Sequence, residues 1–286
     1  MAIIPSFFMN AVVALGIELP NKNKHWIGTG FIVGRKEKDN PKLSTHYIIT
    51  NKHVIKNQSK VYVRFNSTSE SYVKDYQIDL FDANGLPAFS AHTDEKTDVI
   101  AIQIIPQTLT NDNSIWGSFD LEDHALTLEQ MKSTGVEEGT LIYALGFPMN
   151  LVEDIKAPVC RLGCISRVYD AFLLAKNGKP VYLVDAQTFP GNSGGPIVNR
   201  PEQASITGTV HNDSANLIGI LSQYIPYQET LYSRQTERAR MVQEENSGLT
   251  IVHPVDRIKE VVELEWQRCG GVETKIIADR HIEKAG

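Results

Sequence analysis

Turn residues divide this chain into short extended runs, and that spacing limits its fold more than anything else in the sequence. Twelve runs rich in Val, Ile, Phe and Tyr are bounded by Gly, Pro, Asn or Asp: 11–18, 28–33, 46–50, 60–64, 76–81 and 99–105, then 139–146, 157–174, 180–185, 196–199, 216–223 and 248–253. These borders are those of β-strands. Several strands in succession without crossover helices fold as barrels or a sandwich, so an all-β protein is expected. Helical spacing is convincing only beyond Pro254, where Val255, Ile258, Val261, Val262 and Leu264 recur. That predicts a terminal helix packed on the strands. Residues 115–134 are the least strand-like of the middle and read as the connection between two halves. Residues 224–247 lie between two strands and hold Arg234, Glu237, Arg238, Arg240, Glu244 and Glu245. They exceed an ordinary connection and read as a charged helix or a mobile loop, inserted for function.

Bulk properties narrow the partners. At 286 residues, area scaling implies that roughly three quarters of the extended-chain surface is buried, enough for one large domain or two closely packed halves. The net charge of −6 is spread as mixed signs. No basic block alternates with aromatics, so no nucleic-acid partner is expected. No run reaches the ~18 apolar residues of a membrane span. The segment 1–19 has no basic start, contains Pro5 and Asn10, and reads as a first strand instead of a signal peptide. Cys160, Cys164 and Cys269 make no disulfide framework. The first two, four residues apart on one strand, would stand ~13 Å apart, beyond the reach of a disulfide. A zinc or redox pair there lacks a second pair nearby. The thiols are expected in the core, in a reducing, cytoplasmic compartment, with no metal and no cofactor.

Chemistry concentrates in Gly191-Asn192-Ser193-Gly194-Gly195-Pro196, between the runs 180–185 and 196–199. A serine between glycines is accessible to close backbone approach. Successive N–H groups of such a turn, here Gly191, Asn192 and Ser193, can converge to hold an oxyanion. His53, just beyond one extended run, is the candidate base, and Asp98, just before another, is the candidate orienting acid. Taken singly, a histidine or an aspartate in such a place is usually structural.

The order His53, Asp98, Ser193 resembles that of the chymotrypsin-fold serine peptidases, and differs from the subtilisin and α/β-hydrolase orders. Four further segments agree: Gly28-Thr29-Gly30-Phe31-Ile32-Val33, Leu145-Gly146-Phe147-Pro148, Asp185 to Pro196, and Gly248-Leu249-Thr250-Ile251-Val252-His253-Pro254. The loop 185–196 is similar to that of bacterial trypsin-like peptidases of the HtrA/Deg type, and the resemblance spans roughly residues 10 to 265. It implies two six-stranded antiparallel β-barrels with a C-terminal helix: residues 1–130 with His53 and Asp98, residues 131–265 with Ser193 and the closing helix, and a tail at 266–286. It implies a serine endopeptidase in which His53 takes the Ser193 proton, Asp98 fixes the imidazole, and Ser222 buttresses Asp98. Protein or peptide substrates follow.

Departures from the family pattern matter too. Asn192 stands where digestive enzymes have an aspartate that receives the new amino terminus, so activation through that salt bridge is not expected. No PDZ domain is expected after the helix. Gln187, with Ser222, Gln223 and Tyr224, lines the expected primary pocket, and its neutral amide favours small or medium uncharged side chains before the cut. An activating protein, or a protease acting on residues 224–247, is an expected partner. The competing reading is a catalytically silent peptide-binding protein on the same scaffold.

Overall fold

Strands fill both halves of the chain in the computed structural model, which describes residues 4–37, 40–69, 72–152, 154–174, 181–202, 207–270 and 282–284. After a short helix α1 (Ser6–Ala11), the first half carries β1 (Val12–Glu18), β2 (Lys24–Lys36), β3 (Ser44–Thr50), β4 (Lys60–Ser67), β5 (Val73–Asp79), β6 (Ser90–Ala91) and β7 (Ile100–Ile104). Helix α2 (Pro106–Asn111), β8 (Ser114–Ile115), β9 (Phe119–Asp120) and helix α3 (Leu128–Ser133) lead into the second half. That half holds β10 (Leu141–Gly146), β11 (Val159–Arg167), helix α4 (Tyr169–Leu174), β12 (Tyr182–Asp185), β13 (Pro196–Asn199), β14 (Leu217–Tyr232), β15 (Ala239–Pro254) and helix α5 (Val255–Arg268). A last strand, β16 (Ile282–Lys284), returns to the first half. Of the tail expected at 266–286, residues 271–281 and 285–286 lie outside the described residues.

The second half is a closed six-stranded barrel in the order β10-β11-β12-β15-β14-β13. The first half departs from expectation. It is a ten-stranded sheet with the path β16-β5-β4-β1-β2-β3-β7-β6, and that path does not close among the described residues. Its two edges explain why: β16 occupies the outer edge of β5, and the other end is the two-residue β6.

Three apolar clusters hold the molecule together. One lies inside the first sheet around Ile32, Ile48, Val63 and Ile102. A second fills the barrel around Ile142, Val184, Ile197 and Val252. The third joins the halves, packing Phe31, Tyr47 and Phe119 with Leu145, Val198 and Ile258. Helix α5 buries Val255, Ile258, Val261 and Val262 there as its periodicity predicts, but the next buried position is Glu265, not Leu264. Its carboxylate is fully buried and satisfied by Ser90 Oγ at 2.9 Å, the Gln103 N–H at 3.2 Å and Arg268. A buried charge persists only with such partners; Ser90 and Gln103 come from distant parts of the chain, and Arg268 from the next turn of the same helix.

Other expectations are corrected locally. The run 157–174 is a strand only to Arg167, because the Glu138 carboxylate accepts the N–H groups of Val168 and Tyr169 at 2.6 and 2.7 Å and opens helix α4. Residues 115–134 include β9 and α3, the latter started by a capping box between Thr127 and Gln130. The segment 224–247 is neither helix nor mobile loop. It is the outer part of the β14–β15 hairpin, paired from Pro226↔Asn246 to Tyr232↔Ala239 with a bulge at Arg240. The three thiols form no disulfide among the described residues, and none lies in the core as expected: Cys160 is exposed on β11, and Cys164 and Cys269 are half-buried.

Candidate active site

The acid–base side is built from side chains. A turn after β3 carries His53, anchored by buried Val54 and Ile55. Asp98 precedes β7, and its Oδ2 lies 2.5 Å from His53 Nδ1 while its Oδ1 accepts the His53 backbone N–H at 3.2 Å. Ser222 Oγ, buried on β14, donates to the same Asp98 Oδ2 at 3.3 Å. Two further groups hold the Asp98 backbone: Asn51 Nδ2 donates to its carbonyl at 2.6 Å, and its N–H donates to His253 Nε2 at 3.2 Å. Burial alone would push the Asp98 carboxyl up, but the hydrogen bond and charge of His53, with its backbone N–H, hold it below the usual carboxylate value.

His253, on β15, is the site residue that sequence reading missed. It is 3% exposed, and burial drives its pKa down to about 4 against a weaker pull from Asp98. Because Nε2 accepts, the neutral ring carries its proton on Nδ1, which is buried and meets no acceptor among the described residues. The sequence signal was a single polar residue ending the apolar run 248–253. Behind it, His92 Nε2 meets Glu260 Oε2 at 2.6 Å, and Lys52 Nζ donates to the carbonyls of His92 and Asp94 at 2.9 and 3.2 Å. A cleft of about 600 Å³ opens beside His53 and Asp98, lined also by Lys56, Glu95, Gln223 and Ile251.

The serine side is built from backbone. Ser193 lies in the loop between β12 and β13, and its carbonyl accepts the Thr29 N–H of β2 at 3.0 Å. Gly28 stands between the two sides, its missing Cβ position being 2.7 Å from Val54 Cγ1 and 3.4 Å from the Ser193 oxygen. Gly194 has φ +86°, and a Cβ there would lie 2.1 Å from the Thr29 carbonyl oxygen. Gly191 has φ +97°, and its Cβ would lie 2.3 Å from the Phe147 oxygen. Only glycine fits either place.

The same loop sets the direction of its peptide planes. The Pro190 carbonyl accepts from Met149 N–H at 2.6 Å, and the Gly191 carbonyl accepts from Thr29 Oγ1 at 2.6 Å. Thr29 Oγ1 in turn accepts from Phe147 N–H at 3.1 Å. A trans peptide points its N–H opposite its carbonyl, so the Gly191 N–H faces away from Met149. Among the described residues the N–H groups of Gly191 and Ser193 have no acceptor, whereas the Asn192 N–H donates to Phe189 at 3.0 Å. Of the three donors expected from the sequence, Asn192 is therefore spent inside the loop. Among the described residues no hydrogen bond joins Ser193 Oγ to His53.

Expected pocket residues divide. Gln187 and Gln223 are exposed and Tyr224 is half-buried, while Ser222 spends its hydroxyl on Asp98. The neighbouring wall is tied by Thr188 Oγ1 to Thr250 Oγ1 at 2.7 Å and by Asn246 Nδ2 to the Thr188 carbonyl at 2.5 Å.

The closed barrel, the facing open sheet and the closing helix define a chymotrypsin-like fold. The chain belongs to the trypsin-like peptidase domain family, whose description matches residues 28–205, more than half of its length. It is 27% identical over 204 residues to a probable periplasmic serine endoprotease, DegP-like, of Chlamydia pneumoniae, covering 71% of this chain and 33% of that one. A relative of the same description from Hahella chejuensis is 26% identical over 194 residues, covering 68% and 32%. The chain thus spans about a third of the length of these relatives. Among solved structures, the HtrA-type protease AlgW with a decapeptide superposes with a TM-score of 0.50 at 16% identity, covering 92% of this chain and 66% of that one. Both relatives are named as periplasmic, so the cytoplasmic location expected from the thiols finds no support among them. No helix among the described residues is long and apolar enough to cross a membrane.

Proposed function

We propose that this chain is a serine endopeptidase acting on protein or peptide substrates through an acyl-enzyme. Ser193 Oγ attacks the scissile carbonyl as His53 Nε2 takes its proton, and His53 returns that proton to the leaving amine. Asp98 keeps the His53 Nδ1 proton in place and stabilises the imidazolium. The Gly191 and Ser193 N–H groups receive the oxyanion, each donor being worth ~3 kcal/mol by analogy with measured side-chain donors. The observation that carries this reading is the pairing of a fixed His53–Asp98–Ser222 chain with a loop whose Pro190 carbonyl is turned outward to Met149. An inward carbonyl at that place would occupy the oxyanion position. Small or medium uncharged residues before the cut remain the favoured substrates, because Gln187 brings no charge to the pocket. The root of the β14–β15 arm touches the pocket wall through Asn246 and Thr188, which supports gating of the site by that arm.

Labelling by a fluorophosphonate probe tests the proposal. Wild type should label and Ser193→Ala should not. Folded wild type that fails to label, or a Ser193→Ala protein that labels equally, overturns it in favour of a silent peptide-binding protein.

A further inference from the structure

Lys156 lies near the end of the connection from β10 to β11 and is 3% exposed. Its Nζ donates to the carbonyls of Asn10 at 3.0 Å and Val12 at 2.8 Å. Asn10 stands in the last turn of α1, where carbonyls have no partner inside the helix. The Lys156 backbone is held as well: its N–H donates to Asn66 Oδ1 and its carbonyl accepts from Asn66 Nδ2, both at 2.7 Å. One residue is thereby fixed to α1, β1 and β4 of the first half. Burial, with no offsetting carboxylate among the described residues, pulls the amine down to about 7. An apolar side chain of similar length avoids that cost, so the reason for a lysine lies in the contacts of its amine.

At its other end the same connection reaches the serine loop, where the Met149 N–H donates to the Pro190 carbonyl at 2.6 Å. Met149 and Asn150 hold φ of +54° and +57°, the left-handed region that non-glycine residues seldom enter. Two such residues in succession persist only where the surroundings hold them. Of the described residues between Met149 and Lys156, only Val152 packs on an apolar cluster, while Leu151 and Ile155 are 47% and 52% exposed. The strained turn is therefore held chiefly from its ends, by Pro190 on one side and Lys156 on the other. A Cβ at Gly191 would stand 2.9 Å from the Asn150 nitrogen, so a shift of this turn displaces the oxyanion donors.

We propose that Lys156 is a positioning residue for the oxyanion site: its amine moors the Met149–Asn150 turn to α1 and β1, and the moored turn keeps the Pro190 carbonyl outward. The inference rests on the serine-peptidase reading above. Lys156 touches no reacting atom and acts through Met149. The segment before β1, far from Ser193 in sequence, thereby belongs to the device that readies the serine loop. Without α1 docked, the amine loses Asn10 as an acceptor and the turn relaxes. The Pro190 carbonyl is then released to swing into the place of the oxyanion.

Lys156→Met keeps the length of the side chain, removes its donors and is the test, with thermal melting to verify folding. Hydrogen exchange at the Met149 amide, resolved by mass spectrometry, should quicken about tenfold as the turn opens more often. The limiting rate of fluorophosphonate labelling should fall about tenfold while the half-saturating probe concentration stays within about twofold, because oxyanion donors act in the transition state. Asn66→Ala, which releases the Lys156 backbone and leaves the amine, should move both readouts the same way by less. It decides the matter if Lys156→Met does not fold. Ile78→Val, a core change on β5, should lower the melting temperature and leave both readouts at wild-type values. Unchanged exchange at Met149, faster exchange with an unchanged limiting rate, or a loss confined to the half-saturating concentration each overturns the proposal. Equal slowing by Ile78→Val also overturns it, since general loosening then explains the effect. Exchange at Met149 needs no catalysis, so a failed anchor is told apart from a serine that does not react.

Discussion

The two sides of the candidate cleft are held by opposite means. His53 and Asp98 are fixed by side chains, namely Asn51, Ser222 and His253. The serine loop is fixed by carbonyls and glycines, with the Thr29 hydroxyl as its principal side-chain partner. A site held by side chains tolerates conservative exchange and responds to pH. One held by backbone geometry tolerates almost no added atom.

Gly194→Ala should produce the largest effect. Its Cβ collides with the Thr29 oxygen and its φ of +86° is strained for any other residue, so a loss of about 3–5 kcal/mol is expected. Probe labelling should vanish, which calorimetry and labelling together can check. The acid–base side should differ in kind through His253. Its unfolded imidazole takes up a proton near 6.5 and the folded one only near 4. Wild type should therefore lose up to about 3 kcal/mol from this group as pH falls through that window, and nothing above it. His253→Gln, which keeps an acceptor for the Asp98 N–H, should remove that loss, read as the difference between the two stability–pH curves. Equal curves would mean that His253 does not resist protonation.

Smaller effects sharpen the contrast. Thr29→Val leaves the Gly191 carbonyl and the Phe147 N–H without their shared hydroxyl and should cost about 1–3 kcal/mol, with labelling slowed roughly tenfold. Ser222→Ala removes one 3.3 Å hydrogen bond from a carboxylate that keeps its others. A loss of about 1 kcal/mol and labelling within a few-fold of wild type are expected. A larger loss for Ser222→Ala than for Thr29→Val would invert the comparison.

What the sequence made legible follows the same division. Runs such as Ile48-Ile49-Thr50 and Val99-Ile100-Ala101-Ile102 announce themselves because burial imposes apolar composition on them. His53, Asp98 and Ser193 stood out through their order and their local borders, and the structure brings His53 and Asp98 into contact. The arm did not stand out. Gln228 and Glu229, like Gln243, Glu244 and Glu245, face solvent on both sides of the ribbon, so no periodicity marks them as strand. Their conformation rests on cross-strand pairing that single-segment reading does not see. Glu265 was missed for a related reason, its partners Ser90 and Gln103 lying more than a hundred residues away. The orientation of the Pro190–Gly191 peptide is set by Met149 N–H, and no residue type encodes it.

The contact between Thr29 and the serine loop also bears on biosynthesis. Synthesis runs from the amino terminus, so the strand that receives the Ser193 carbonyl leaves the ribosome long before the serine does. In the proposed reading, His53 and Asp98 have no nucleophile to serve during that interval. Once the loop emerges, its Gly191 carbonyl finds its hydroxyl partner only when the second barrel docks on the first sheet. In the proposed reading, a half-made chain is a harmless neighbour to other nascent proteins, because hydrolytic power arises at the docking step and not before it.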